Sequence, residues 1–173
     1  MASLVVNSLW NCNVYLNGTS YLGRAAELSI PQPKRLMEEY KGLGMAARIE
    51  IPVGWDRIES EITWASFDHT AIGQIMSSTA MQQFAAMGDI QVLSSAGETG
   101  DLPVVYNMTG MTKDPGPIAF KAQENITYKT TITIYHCDLT VAGTQIYLFD
   151  ALSNLFVVNG VDQLAQYRIN IGG

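Results

Sequence analysis

Alternation of apolar and polar residues is the dominant pattern of this chain, and it predicts antiparallel β-structure. In residues 57–67 (RIESEITWASF), every second side chain from Ile58 to Trp64 falls on one face of a strand, while Glu59 and Glu61 fall on the other. The strongest strand signal is residues 126–141 (ITYKTTITIYHCDLTV), where β-branched and aromatic residues dominate. Such a strand exceeds the usual length of about 3 to 10 residues, and its edge would invite pairing with another chain. Shorter strands are predicted at residues 13–16, 20–22, 26–30, 46–53, 90–94, 102–112, 145–149 and 155–158.

Turn signals separate these strands. Asn17-Gly18 predicts a hairpin, because both central residues of a type I′ turn need positive φ. Residues 96–101 predict a glycine-rich acidic turn, and residues 114–117 (DPGP) predict a loop. No linker, low-complexity stretch or repeat divides the sequence, so a single domain covering residues 1–173 is expected.

The best internal helix candidate is residues 68–81. Asp68 is placed as its N-cap, and Ile72, Ile75 and Met76 follow helical spacing. We expect this helix to close one side of the sheet.

Two further segments have helical character. Residues 34–41 could form a helical turn that Gly42 and Gly44 end. Near the C-terminus, Asn159-Gly160 predicts a turn, and Asp162 is placed to cap a short helix.

Composition indicates a folded protein with an acidic surface. The chain has 173 residues, 47% of them hydrophobic and 15% charged, with 16 acidic and 10 basic side chains and a net charge of −6. This balance disfavours nucleic acid as an attractive partner, because phosphate binding needs clustered Lys and Arg. The N-terminal residues lack a basic region and a long apolar run, so no secretory or membrane segment is expected. Cys12 and Cys137 are then expected to be reduced, with a disulfide as the alternative.

No arrangement of residues points to catalysis, a cofactor or a metal. Asp68-His69 falls at the predicted helix start, where capping explains the aspartate, and no nucleophile motif accompanies it. His136-Cys137-Asp138 lies within a strand, so successive side chains point to opposite faces and cannot converge on one metal. Gly42-Leu43-Gly44 lacks the Lys-Ser/Thr pair of a phosphate loop. The sequence therefore predicts a protein that is not an enzyme and that holds no cofactor.

Five segments, in order along the chain, share their pattern with one protein family. They are residues 13–23 (NVYLNGTSYLG), 28–33 (LSIPQP), 39–45 (EYKGLGM), 108–116 (MTGMTKDPG) and 156–172 (FVVNGVDQLAQYRINIG). Pro33 departs from the leucine that is usual in the second segment. With this order and spacing, the chain resembles the major tail tube proteins of contractile-tailed bacteriophages and R-type pyocins over nearly its whole length.

The resemblance implies both a fold and a function. The fold is mainly β, α+β in class: an antiparallel β-sandwich or rolled barrel with one flanking α-helix and a short C-terminal helix. Six subunits would form a ring, and rings would stack into a hollow tube inside a contractile sheath. DNA would pass through this tube without specific binding, or the tube would stand empty in a bacteriocin-like particle (a tailocin). The implied partners are further copies of the chain, the tail sheath protein, and the baseplate, spike and tail terminator proteins. The tube would be assembled in the host bacterial cytoplasm and reside in the virion tail.

The matched segments also supply candidate contact residues. The candidates in the matched segment 39–45 are Tyr40, Gly42, Gly44 and Met45. The two glycines would permit a tight turn or close approach to a neighbouring subunit. The C-terminal candidates are Asn159, Gly160, Asp162 and Arg168. For the first group, the alternative is that the residues form an ordinary surface loop. For the C-terminal group, the alternative is that the tail packs on the chain's own domain. Glu59 and Glu61 are the candidates for the tube lumen.

Two other functions are compatible with a chain of this kind. A tube protein of the haemolysin-coregulated type, from a type VI secretion system, would share the fold and the ring plan. A monomeric β-sandwich carbohydrate-binding module would need an exposed aromatic platform and would usually carry a signal peptide.

Overall fold

The computed structural model describes residues 4–77 and 79–172 of the chain. These residues form twelve strands and two short helices. The strands are β1 (Val6–Leu16), β2 (Thr19–Ser20), β3 (Ala25–Leu28), β4 (Arg35–Tyr40), β5 (Ile49–Trp55), β6 (Ile58–Trp64), β7 (Gln82–Ser94), β8 (Gly97–Asp114), β9 (Tyr128–Val141), β10 (Thr144–Asp150), β11 (Leu155–Val158) and β12 (Val161–Asp162). Helix α1 (His69–Ile75) lies between β6 and β7, and helix α2 (Ala165–Asn170) follows β12.

Ten of the strands form one antiparallel sheet that forks at β9. The main order is β12-β11-β10-β9-β8-β7-β1-β2. The first half of β9, residues 128–134, pairs with β6, and its second half, residues 136–141, pairs with β10. Strand β3 extends the first branch by pairing with β6. Strands β4 and β5 pair only with each other.

The branch β3-β6-β9-β8-β7-β1-β2 has to curl. In a flat sheet its seven strands would place β2 about 29 Å from β3, at roughly 4.8 Å per strand pair. Residues 21–24 connect β2 directly to β3, and this connection can span at most about 18 Å. Buried side chains from six strands and α1 form one core inside the curl. The prediction of a mainly β, rolled fold with a flanking helix and a short C-terminal helix is therefore confirmed.

Helix α1 starts where the sequence predicts. The Asp68 side chain accepts hydrogen bonds from the main-chain N–H groups of Thr70 (2.8 Å) and Ala71 (3.0 Å), and it also pairs with Arg24. Ala71 and Ile75 are buried in the core, which holds the helix against the sheet.

The predicted end of this helix is wrong. The helix ends at Ile75, whereas the pattern extended it to residue 81. The buried side chain of Gln82 donates hydrogen bonds to the main-chain carbonyls of Gln74 and Ser77. These carbonyls at and after the helix end thereby gain the donors that a longer helix would have supplied. Ser78, which the prediction included, lies outside the described residues.

Several local predictions are confirmed. Asn17 (φ 48°) and Gly18 (φ 79°) form the turn between β1 and β2. Strand β6 buries every second side chain from Ile58 to Trp64, as the alternation predicts. Cys12 and Cys137 are free thiols, the first exposed and the second buried.

Two local predictions are wrong because strand pairing outweighs residue preference. Residues 34–41 are not a helical turn, since residues 35–40 form β4 and pair with β5. Residues 96–101 are not a turn, since β8 begins at Gly97 and pairs with β7 as far as Ser94. Only Ser95 and Ala96 lie between these two strands, and the glycines that indicated a longer turn sit in the ladder.

Candidate assembly surface

Strands β4 and β5 form a hairpin, residues 35–55, which we call the arm. Residues directly opposite each other share a face, so Tyr40 and Ile49 lie on the same side as Ile51. The apolar residues of this face, each 37–50% exposed, are Leu36, Tyr40, Ile49, Ile51 and Val53. We call them the apolar arm face. A two-stranded hairpin is marginally stable by itself in water, so an apolar face of this size points to a covering surface.

The other face of the arm is more polar. Glu39 and Glu50 lie opposite each other on it, and Arg48 pairs with Glu39 at 2.9 Å. Met37 and Pro52 share this face, and Met37 is exposed. The two faces therefore differ in degree, since Glu38, opposite Ile51, lies on the apolar arm face and Met37 and Pro52 lie on the more polar one.

The tip of the arm contains the predicted contact residues Gly42, Gly44 and Met45. The Gly42 N–H donates to Met45 Sδ at 3.2 Å, and the Met45 N–H donates to the Gly42 carbonyl at 3.3 Å. Gly44 has φ +85°, which a side chain other than that of glycine rarely adopts. The turn thus folds on itself and leaves Leu43 fully exposed.

A cleft of about 550 Å³ lies where the arm joins the sheet. Val53 and Trp55 line it from the arm, Tyr135 from β9, and Leu164 and Tyr167 from the C-terminal segment. The apolar arm face thus runs through Val53 into a cleft that the C-terminal segment also borders. The two groups of predicted contact residues belong to segments that meet at this cleft.

The C-terminal candidates themselves organise the tail. Asn159 (φ 48°) and Gly160 (φ 79°) form the turn between β11 and β12. Arg168 pairs with Asp162 and donates to the Asn154 carbonyl at 2.9 Å. The hydrogen bond from Arg168 holds the pKa of Asp162 below its usual value, and the Leu164 N–H adds to this effect. These polar groups find their partners within the chain.

Asp162 does not cap α2, contrary to the prediction. It lies in β12, and its Oδ1 accepts a hydrogen bond from the Leu164 N–H at 2.9 Å. Leu164 is the residue at the N-cap position, and no side chain caps the helix. Asp162 instead holds the connection that leads into the helix, while Tyr167, Ile169 and Ile171 remain exposed.

The lumen candidates lie on the outward face of β6 and are paired with cations. Glu59 Oε1 lies 2.6 Å from Lys113 Nζ and 3.1 Å from Arg57 Nε. The Lys113 hydrogen bond lowers the pKa of Glu59 below its usual range. Glu61 is more exposed and lies 3.6 Å from Lys129 Nζ.

One edge of the sheet is open. Strand β1 pairs with β7 along most of its length, but on its other side it pairs with β2 only at Tyr15 and Leu16. Along residues 6–13 that side faces no strand of the described chain, and Leu9 and Trp10 are exposed there. An edge of this length is a template for pairing with another chain.

One histidine, His136, lies near two carboxylates. His136 lies 3.8 Å from Asp138 and 3.5 Å from Asp150, but Asp150 also accepts hydrogen bonds from Leu152 and Ser153 in the turn after β10. Within residues 4–77 and 79–172, no group of three or more His, Cys, Asp or Glu residues is arranged to hold a metal ion. No helix in the same ranges is long and apolar enough to cross a membrane.

Sequence reasoning missed most of the apolar arm face. Of its five members, only Tyr40 was a candidate. The signal was present as alternation in Ile49, Ile51 and Val53, whereas Glu38 interrupts it between Leu36 and Tyr40. Leu36 was overlooked because a helical turn was predicted for residues 34–41, and Ile49, Ile51 and Val53 fell in a predicted strand whose exposed face the alternation alone does not identify.

Comparison with known proteins agrees with the resemblance noted in the sequence. Residues 6–172 match the family described as phage tail tube protein FII. The chain is 31% identical over 166 residues to the tail tube protein of Escherichia phage P2, an alignment that covers 92% of this chain and 94% of the relative. These matches favour a phage tail tube function over a secretion-system tube or a carbohydrate-binding module. The chain belongs to the phage tail tube protein FII family, and it is a structural subunit of a phage tail tube.

Proposed function

We propose that six copies of this chain close into a ring, and that rings stack into a hollow tube whose subunits hold one another through the arm. The observation that carries the proposal is the apolar arm face, because its five members remain 37–50% exposed in the described chain. A second copy is the occupant that a self-assembling tube subunit makes available at high local concentration. Its docking would bury apolar area and stabilise a hairpin that is marginal alone.

The open edge of β1 supports closure of the ring. Residues 6–13 could pair with the sheet of the next subunit, so that the sheets of one ring join into a continuous inner barrel. Closed cyclic symmetry would satisfy this edge in every subunit. Repetition of arm contacts from ring to ring would give the open-ended growth of a filament.

Each chain would act as one tube domain, with DNA passing through the lumen during ejection. Glu59 and Glu61 remain the lumen candidates. Pairing with Lys113 and Lys129 reduces their charge, so repulsion of DNA would rest mainly on the net charge of −6. A lumen that repels phosphate would conduct DNA without retaining it.

The remaining partners follow from the place of such a tube in a virion. A contractile sheath would surround it, and baseplate, spike and tail terminator proteins would contact its ends. We propose assembly in the host bacterial cytoplasm and a role that involves no catalysis.

Electron microscopy of the purified chain tests the proposal. We expect hollow tubes of stacked six-membered rings, and we expect the pair Ile49→Ser and Ile51→Ser to prevent their formation while the subunit stays folded. The matched control is Glu50→Ser, which changes the opposite face of the same strand and should leave tubes intact. Monodisperse monomers of the unmodified chain under all assembly conditions would overturn the proposal. Normal tubes from the double variant would remove the arm from the contact.

A further inference from the structure

Two buried tyrosine hydroxyls meet at one main-chain carbonyl at the base of the arm. Tyr106 Oη, on β8, lies 3.1 Å from the Pro31 carbonyl oxygen, and Tyr147 Oη, on β10, lies 3.2 Å from the same atom. A carbonyl oxygen has two lone pairs, so it can accept both hydrogen bonds. Pro31 belongs to the segment that leads from β3 into β4, the first strand of the arm.

Such convergence is not general in this core. Tyr21 and Tyr128 are also buried, yet neither hydroxyl has a hydrogen-bond partner in the described part of the chain. Burial raises the pKa of Tyr106, and it raises the pKa of Tyr147 to about 12, so both hydroxyls keep their protons at neutral pH. Each hydroxyl therefore carries the proton that a hydrogen bond to the Pro31 carbonyl needs.

The chain between this anchor and the arm is stiff. Pro31 and Pro33 have fixed φ, and a proline restricts the residue before it to extended conformations, here Gln32. The Lys34 carbonyl then accepts a hydrogen bond from the Asp56 N–H at 2.8 Å, which ties the two ends of the hairpin together. A fixed Pro31 therefore fixes the direction of β4.

The second strand of the arm is anchored to the same region. The Trp55 ring packs edge-on against Phe149, with 5.8 Å between centroids, and against Phe156, with 4.7 Å. The Arg35 guanidinium lies over the Trp55 ring, 4.5 Å from its centroid. Phe149 is two residues from Tyr147 on β10, so both ends of the arm rest on one strand.

We propose that Tyr106 and Tyr147 are positioning residues that set the direction in which the arm leaves the sheet, and thereby its docking on a neighbouring subunit. The inference rests on the proposed function, since it concerns an arm that docks. Both tyrosines are buried in the subunit, so neither side chain is exposed for direct contact with a neighbour. Each acts through Pro31.

The test combines a geometric readout with an assembly readout. Spin labels at Leu43→Cys, on the arm tip, and Asp101→Cys, on β8, in a Cys12→Ser background report the direction of the arm by pulsed electron spin resonance. We expect the pair Tyr106→Phe and Tyr147→Phe to broaden the distance distribution, while each single change has a small effect because one donor remains. In the chain without labels, the pair should slow tube growth about tenfold, a factor that corresponds to about 1.4 kcal/mol and lies within the net contribution of the two hydrogen bonds removed.

The matched control is Tyr128→Phe, which removes a buried hydroxyl that has no partner. It should change neither the distance distribution nor tube growth. An unchanged distribution in the double variant overturns the inference, and so does normal tube growth with a broadened distribution. If Tyr128→Phe and the unmodified chain both fail to form tubes, the proposed function fails, and the distance distribution still decides whether the tyrosines position the arm.

Discussion

The rolled sheet and the arm are both antiparallel β-structure, but they differ in whether their alternating apolar side chains are buried within the chain. In the sheet, Trp64 is fully buried and its Nε1–H donates to Thr130 Oγ1 at 3.1 Å. In the arm, Ile49 and Val53 alternate just as regularly, yet both remain exposed. The same period of two therefore places side chains in the core in one region and leaves them partly exposed in the other, where we propose a contact with a second subunit.

Two of the segments that resemble the tail tube family illustrate this difference. In residues 108–116, Gly110 lies against the backbone of β9, Lys113 pairs with Glu59, and Asp114 accepts the Gly116 N–H at 2.9 Å. Every one of these roles lies within the chain. Residues 39–45, in contrast, form the exposed end of the arm, whose role within the chain ends with its own turn.

The largest expected effect is in the sheet, at Gly110. A Cβ on this residue would lie 2.1 Å from the Thr133 carbonyl oxygen, so β8 and β9 would have to separate. We expect Gly110→Ala to destabilise the subunit by about 2–3 kcal/mol or more, measured by urea denaturation. Gly100→Ala, in the same strand but with open space around its Cβ, should change stability by less than about 0.5 kcal/mol. Equal stability of the two variants would show that the sheet yields at Gly110.

The next effect is at the arm tip and should appear in assembly instead of global stability. Gly44→Val places a β-branched residue at φ +85°, a strain of about 1–3 kcal/mol confined to the arm. Tube yield should fall in electron micrographs, while the melting temperature of the subunit stays close to that of the unmodified chain. A comparable loss of folded subunit would mean that arm and sheet unfold together.

Gly44→Asn separates the two explanations of this glycine. Asparagine tolerates positive φ better than other side chains, and no atom of the described chain lies within 4 Å of the added Cβ. We expect tubes to form again with Gly44→Asn if the turn alone requires glycine. Absence of tubes with both variants would instead indicate close approach of a neighbouring subunit at this position.

The parts of the fold that follow from neighbouring residues could be predicted from the sequence. The Asn17-Gly18 turn, the Asp68 cap and the alternation of β6 are of this kind, because each depends on a few consecutive residues. Contacts between distant segments could not be predicted in this way. Gln82 ends a helix that precedes it in the chain, and Tyr106 and Tyr147 reach a carbonyl 75 and 116 residues away.

The candidate surface was predicted less well than the fold, for a related reason. Tyr40 was a candidate from the sequence, but Ile49, which lies opposite it, was not, because the register of β4 and β5 has no signal in a single strand. Asp162 and Arg168 were expected to face other subunits, and they pair with each other. A sequence pattern shared with a family indicates that its residues have a role, but it does not distinguish contacts within the chain from contacts with another subunit.

A smaller effect is expected at the C-terminal segment, as a function of pH. Arg168 lowers the pKa of Asp162 in the folded chain below the ordinary value of 3.8, so the ion pair stabilises the segment fully above that value. This contribution is lost as pH falls through the lowered pKa. The methyl NMR signals of Ile169 and Ile171 should therefore shift toward those of a released segment at acidic pH. In Asp162→Asn this titration should be missing, and its persistence would assign it to another carboxyl group such as Asp150.

The smallest effect on the subunit, and the one most specific to the tube, is expected at Glu61. Glu59 pairs with both Lys113 and Arg57, so reversing its charge would disturb the sheet. Glu61 is more exposed and has one cationic neighbour, Lys129, at the longer distance of 3.6 Å. Glu61→Lys should change the free energy of unfolding by less than about 1 kcal/mol and leave tubes intact. If the side chain faces the lumen, each ring gains positive charge, and DNA ejection should slow because lysine attracts phosphate. Glu124→Lys is the matched control, since Glu124 is also an exposed glutamate paired with a lysine, Lys121. Ejection at the same rate in both variants would show that Glu61 does not face the lumen.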